Sequence, residues 1–255
     1  MRKLRFLTLL TLFNLLFSLP GSAQNLSIYC EDAAHFKGPD GKITGLDIEI
    51  VSEIQRRVGN TDEIQLVPWT RGMKFLDAEP NTILFSMART KERNDLYQWI
   101  GPISETSYGF YTKADSPIVI KNLDDARKVT SIGVYRNDVR DQFLTKEGFT
   151  NLERANDNFS NLKKLMAGRV AVIAGTSVGI AVEAQRAGFS VKDVKFLYAF
   201  ARYPIYIAAS KKTSADIVAS WNAALDTMRK DGTLKAIFKR YLPDEDVPGP
   251  ELTIY

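Results

Sequence analysis

From residue 26 to residue 242, short apolar runs of strand length alternate with stretches that repeat apolar residues at helical spacing. That alternation limits the fold to α/β architecture. Residues 26–30 read as a strand, 47–58 as a helix that Gly59 and Asn60 can close, and 63–67 as a second strand. A helix over 71–79 and strands over 82–87 and 97–100 follow. A second series begins after residue 104, with strands at 107–112, 131–135, 170–174 and 194–198 and helices at 138–147, 159–167 and 178–187. The chain then offers a strand at 205–209 and a helix at 214–229 with Ile217, Val218, Trp221, Leu225 and Met228 on one face. Gly232 separates it from a last helix, 234–242, which Pro243 stops. Two α/β lobes are expected.

The first residues suggest where such a chain works. Arg2, Lys3 and Arg5 precede an apolar-rich run over 6–19, and Gly21, Ser22 and Ala23 supply small residues at a cleavage site. Residues 1–23 are therefore expected to be a cleaved signal peptide; a membrane anchor would need about 20 apolar residues. Removing that segment lowers the formal net charge from +4 to +1. Nucleic-acid binding thereby loses its electrostatic basis. Cys30 is the only cysteine, so no internal disulfide can form, and its flank Ile28-Tyr29 points to a buried strand thiol. With His35 as the only histidine, no metal cluster of ordinary spacing is present, and neither a metal nor a cofactor is expected.

Function is written most densely between Val67 and Ser104. There a helix leads into an apolar strand that runs out into Arg89 and Arg93 before the next strand. A guanidinium at the mouth of a strand can hold a carboxylate through two parallel hydrogen bonds, which a lysine cannot do. The order strand, Thr90-Lys91-Glu92-Arg93, strand ending near Pro102 resembles the periplasmic solute-binding proteins of the amino-acid type, the bacterial extracellular family 3 that serves ABC importers. The segment Asp40-Gly-Lys-Ile-Thr-Gly-Leu-Asp-Ile-Glu-Ile50 resembles the family's tight turn before its first helix. The likeness runs from about residue 26 to residue 242.

The resemblance implies a type II periplasmic-binding-protein fold: two lobes joined by two hinge-crossing segments, here near 105–108 and 200–204. Lobe one would comprise residues 24–105 and 203–255, and lobe two residues 106–202. It also implies that Arg93 holds a ligand carboxylate, with a structural arginine as the alternative. Arg89 would be a second anion contact or a rim salt bridge, and Trp69 would stack on the ligand or belong to the core. Glu31, Asp32 and His35 follow the first strand, at the carboxyl end where open α/β sheets build their sites. In lobe two, Thr176 stands where amino-acid binders place the aspartate that holds the ligand ammonium. A hydroxyl there leaves a buried ammonium without a counter-charge. Tyr135-Arg136-Asn137-Asp138 occupies the turn into the next helix, so Asp138 is either the substitute partner or that helix's N-cap.

Gly175-Thr176-Ser177-Val178-Gly179 fits a nucleophile elbow, yet the sole histidine lies 142 positions before the serine, so a hydrolase triad is not expected. A dehydratase of cyclic acids is an alternative on the same fold, with Glu31, Asp32, His35 and Asp138 as acid and base groups. A ligand sensor that presents its closed form to a receptor is another. The leading expectation is an exported, monomeric binding protein, not an enzyme. It captures an amino acid or related carboxylate between its lobes and passes it to an ABC permease.

Overall fold

A computed structural model describes residues 25–31, 36–37, 42–243 and 246–249; the expected signal peptide, Asp32, His35 and the last six residues lie outside them. The strands are β1 (Ser27–Glu31), β2 (Phe36–Lys37), β3 (Ile43–Thr44), β4 (Ile64–Val67), β5 (Thr82–Ala88), β6 (Gln98–Lys113), β7 (Ile132–Tyr135), β8 (Leu152–Ala155), β9 (Val172–Gly175) and β10 (Val194–Ala209). The helices are α1 (Leu46–Val58), α2 (Trp69–Ala78), α3 (Lys91–Asn94), α4 (Leu123–Arg127), α5 (Val139–Lys146), α6 (Asn158–Met166), α7 (Ser177–Arg186), α8 (Ala215–Lys230) and α9 (Thr233–Tyr241).

Eight strands form one mixed sheet in the order β4-β1-β5-β10-β6-β9-β7-β8. Two parallel blocks flank an antiparallel pair, β6 and β10, each 16 residues long. At one end β10 pairs with β5; at the other β6 pairs with β9. Between these ends, residues 105–108 pair along the strand with residues 201–204. They are the two hinge-crossing segments of a two-lobe α/β fold. In place of four separate strands, the sequence forms two continuous ones. Glu105 and Thr106 lie outside both expected strands because the hinge lies between cores, where alternating burial is not required.

Each lobe has its own apolar interior. Ile28, Ile50, Ile54 and Phe85 pack with Trp221, Leu225, Met228 and Leu234 to join α1, α8 and α9 to one sheet face. Tyr29, Trp69, Leu76, Leu84 and Met87 fill the other face under α2. In the second lobe Phe110, Ile132, Val134, Leu144 and Val172 form one cluster, and Tyr111, Leu162, Leu165 and Ile180 another. Gly59 closes α1 at φ 71°, the left-handed geometry its position demands. Cys30 is fully buried, and burial pushes its thiol well above the ordinary range.

Candidate functional site

The parallel strands β1, β4 and β5 on one side and β7, β8 and β9 on the other end toward the junction of the lobes. Side chains that follow those ends meet there. Pro68 precedes α2 and Thr90 precedes α3, so Trp69 and Arg93 begin or sit within helices that start at the junction.

Arg93 is only 3% exposed. Its Nη1 donates to the Ala88 carbonyl at 3.2 Å and its Nη2 to Oε1 of Gln142 on α5 at 3.0 Å, across the lobe junction. The guanidinium carbon lies 5.4 Å from the centre of the Trp69 ring. Burial lowers its pKa, opposed chiefly by Asp138, but a guanidinium remains a cation under any physiological condition. Its Nε is buried with no hydrogen-bond partner. A buried cation that retains an unused donor has the chemistry to accept an anion.

Trp69 also closes the junction. Its backbone N–H donates to the Tyr135 hydroxyl at 3.0 Å and its indole Nε1 to the Asn137 carbonyl at 3.3 Å. Asn137 holds φ 61°, a left-handed turn that asparagine tolerates, and this brings its carbonyl to the indole. Beside these residues Thr70, Met73, Asp77 and Gln142 help line a groove of about 450 Å³.

Glu31 closes β1 and faces the second lobe. Its Oε1 is sealed from solvent without a hydrogen-bond partner, although the residue as a whole keeps some exposure. The Tyr135 hydroxyl donates to its carboxylate. Burial raises the carboxyl from 4.5 to about 7, against the pull of Arg140 and with a push from Asp138. Desolvation and Glu31 likewise raise Tyr135.

Asp138 is the N-cap of α5: Oδ1 accepts the N–H groups of Arg140 at 2.9 Å and Asp141 at 3.1 Å. Its Oδ2 receives both Nε and Nη2 of Arg140, which lies buried beside it and 5.8 Å from the centre of the Tyr108 ring. Of the two readings of Asp138, the structure displays the cap, with its charge already matched. Thr176 caps α7 by accepting the Gly179 N–H at 3.0 Å, and Ser177 is the exposed first residue of that helix.

Arg89 lies apart from this group. Its Nε and Nη2 donate to Oδ1 of Asn94 at 2.9 and 2.7 Å. Its face lies 5.4 Å from the ring centre of Trp99 and 5.1 Å from that of Tyr206. Arg89 directly follows β5 whereas Arg93 sits in α3, so different elements place the two guanidinium groups. His35 lies outside the described residues. Arg140, Gln142 and Tyr108 are site neighbours that sequence reasoning missed. Arg140 carried a usable signal, since a cation in the first turn of a helix opposes the helix dipole and calls for a partner.

The model of the bacterial extracellular solute-binding proteins, family 3, matches residues 31–244. The chain belongs to this family. The probable amino-acid-binding protein YxeM of Bacillus subtilis (strain 168) is 24% identical over 218 residues, covering 82% of this chain and 79% of its own. The L-cystine-binding protein TcyA of the same strain is 22% identical over 211 residues, covering 83% and 76%. Among solved structures, an ancestral arginine-binding protein bound to glutamine superposes with a TM-score of 0.75 at 23% identity, over 86% of this chain and 98% of that one. These family 3 relatives are binding proteins rather than enzymes. Membership of an extracellular family implies export, and no helix among the described residues is long and apolar enough to cross a membrane.

Proposed function

We propose that this family 3 protein captures an amino acid or a close relative in the cleft between its lobes and delivers it to an ABC permease. The observation that carries the reading is Arg93: a buried guanidinium, pinned by Ala88 and Gln142, with Nε unused. The ligand carboxylate docks on that fork, Trp69 covers it, and Glu31 and Tyr135 face the rest of the molecule. Asp138 and Thr176 act on the ligand through the helices they cap. Lobe one comprises residues 24–105 and 203–255, lobe two 106–202, and the segments near 105–108 and 200–204 bend as the lobes close on the ligand. Cleavage after residue 23 releases the protein to the periplasm as a monomer.

A thermal-shift screen of the chain lacking residues 1–23, run against amino acids, polyamines and small organic acids, tests this reading. A binder at 100 times its dissociation constant adds about 2.7 kcal/mol of stability. Stabilisation by carboxylates and not by polyamines is the expected result. A response to polyamines alone defeats it. Recovery of the added ligand chemically unchanged separates capture from dehydration; turnover of a prephenate-like acid means that the site is an active site.

A further inference from the structure

Thr176 provides no charge where an ammonium would need one, and Asp138 is already matched by Arg140. Glu31, at the junction, still has a buried oxygen to offer. Glu31 presents Oε1 without a partner, and the charged and titratable groups that face it come from several elements: Arg140 and Asp138 of α5 and its cap, Tyr135 of β7, Glu183 of α7, Tyr108 of β6 and the neighbouring Cys30. We propose that Glu31 receives the cationic nitrogen of an amino-acid ligand whose carboxylate rests on Arg93. The inference rests on the reading of Arg93 above.

Charge balance supports it. Arg140 and Asp138 cancel and Glu183 is matched by Arg186 at 3.7 Å, so with Glu31 protonated the site carries the single positive charge of Arg93, which suits a monocarboxylate without an amine. With Glu31 ionised the site is neutral overall and presents one charge of each sign, which suits a zwitterion. The carboxyl titrates at about 7, so near neutral pH both forms are populated and the ligand selects between them. The proton balance is simple: the ligand ammonium keeps its protons, the Glu31 O–H bond breaks, and the proton leaves to buffer. Zwitterion affinity then falls roughly 50-fold between pH 7 and pH 5, approaching about tenfold per pH unit, whereas an amine-free acid keeps its affinity.

The experiment is calorimetric titration of the chain lacking residues 1–23 with the standard L-amino acids and cystine, each beside its 2-hydroxy acid analogue. Titrations at pH 6 in two buffers of different ionisation enthalpy give the number of protons released. The expected result is nearly one proton per amino acid and none per hydroxy acid. Glu31→Gln should weaken amino acids by more than tenfold and leave hydroxy acids within about threefold. Amino-acid binding with no proton release and unchanged affinity in Glu31→Gln overturns this inference and leaves Arg93 capture standing. Binding of hydroxy acids alone also overturns it. Binding of neither class by the native protein removes the reading on which it rests. The buffer comparison uses the native protein, so the outcome holds even where Glu31→Gln does not fold.

Discussion

Replacing Arg93 with alanine isolates the most consequential side chain in the cleft. The guanidinium makes two hydrogen bonds, to Ala88 and Gln142, at 3.2 and 3.0 Å, and lies over Trp69. Those contacts fix its plane before a ligand arrives, so little ordering cost remains on binding. A charge-assisted hydrogen bond to a carboxylate contributes about 1.5 to 3 kcal/mol, which corresponds to roughly 10- to 150-fold in dissociation constant. The effect on folding is expected to be small: alanine loses two hydrogen bonds and a cation–π contact but also removes a desolvated cation. Arg93→Lys should fall between the native protein and alanine, because it restores charge without the two-pronged geometry. Calorimetry with the tightest binder from the thermal screen, beside a urea melt of each variant, separates the two effects. Unchanged affinity in a folded Arg93→Ala refutes the reasoning, and so does an Arg93→Lys that binds as well as the native protein.

Other substitutions probe what surrounds that residue. Asp138→Asn leaves buried Arg140 without its counter-charge and should cost about 3 to 5 kcal/mol, seen in urea melts with or without ligand; a loss below 1 kcal/mol contradicts the buried pair. Glu31→Gln should act on stability in a pH-dependent way. Because the folded carboxyl lies near 7 against 4.5 unfolded, the folded state holds the extra proton and native stability falls as pH rises through that window. The variant lacks this slope, so at pH 8 without ligand it should be more stable than the native protein by at most about 3 kcal/mol, a gap that closes by pH 4.5; parallel pH profiles would count against it. In Gly109→Ala the new Cβ would lie 2.9 Å from the Tyr198 carbonyl oxygen and 2.6 Å from the Phe196 ring, where β6 and β10 leave the hinge. A cost of about 1 to 3 kcal/mol in urea is expected, and a neutral result means the strands part there without strain.

The fold was legible wherever a residue faced a core. Trp221, Leu225 and Met228 marked the buried face of α8, and Gly59 marked the end of α1, because burial and left-handed geometry each restrict the choice of residue. Edges and hinges impose neither restriction. β8 reads Leu-Glu-Arg-Ala, charged in the middle, because it is the outermost strand of its sheet and exposes Glu153 and Arg154. β6 and β10 looked broken by Pro102 and Pro204 and by the polar residues between cores, yet each runs unbroken.

At the site, the family resemblance pointed to Arg93 and Trp69, while the partners depended on distances that no linear pattern contains. Gln142 lies 49 positions from the arginine it meets, and Tyr135 lies 66 from Trp69. Arg89 shows the same limit in reverse. It shares a segment with Arg93, but Asn94, Trp99 and Tyr206 hold it elsewhere.

The most direct measurement is a crystal structure of the chain lacking residues 1–23 with the tightest-binding amino acid from the screen. The account predicts the ligand between the lobes, its carboxylate within hydrogen-bond distance of the Arg93 guanidinium and its ammonium against Glu31. A ligand seated away from the lobe junction, or one whose carboxylate leaves Arg93 untouched, would contradict it.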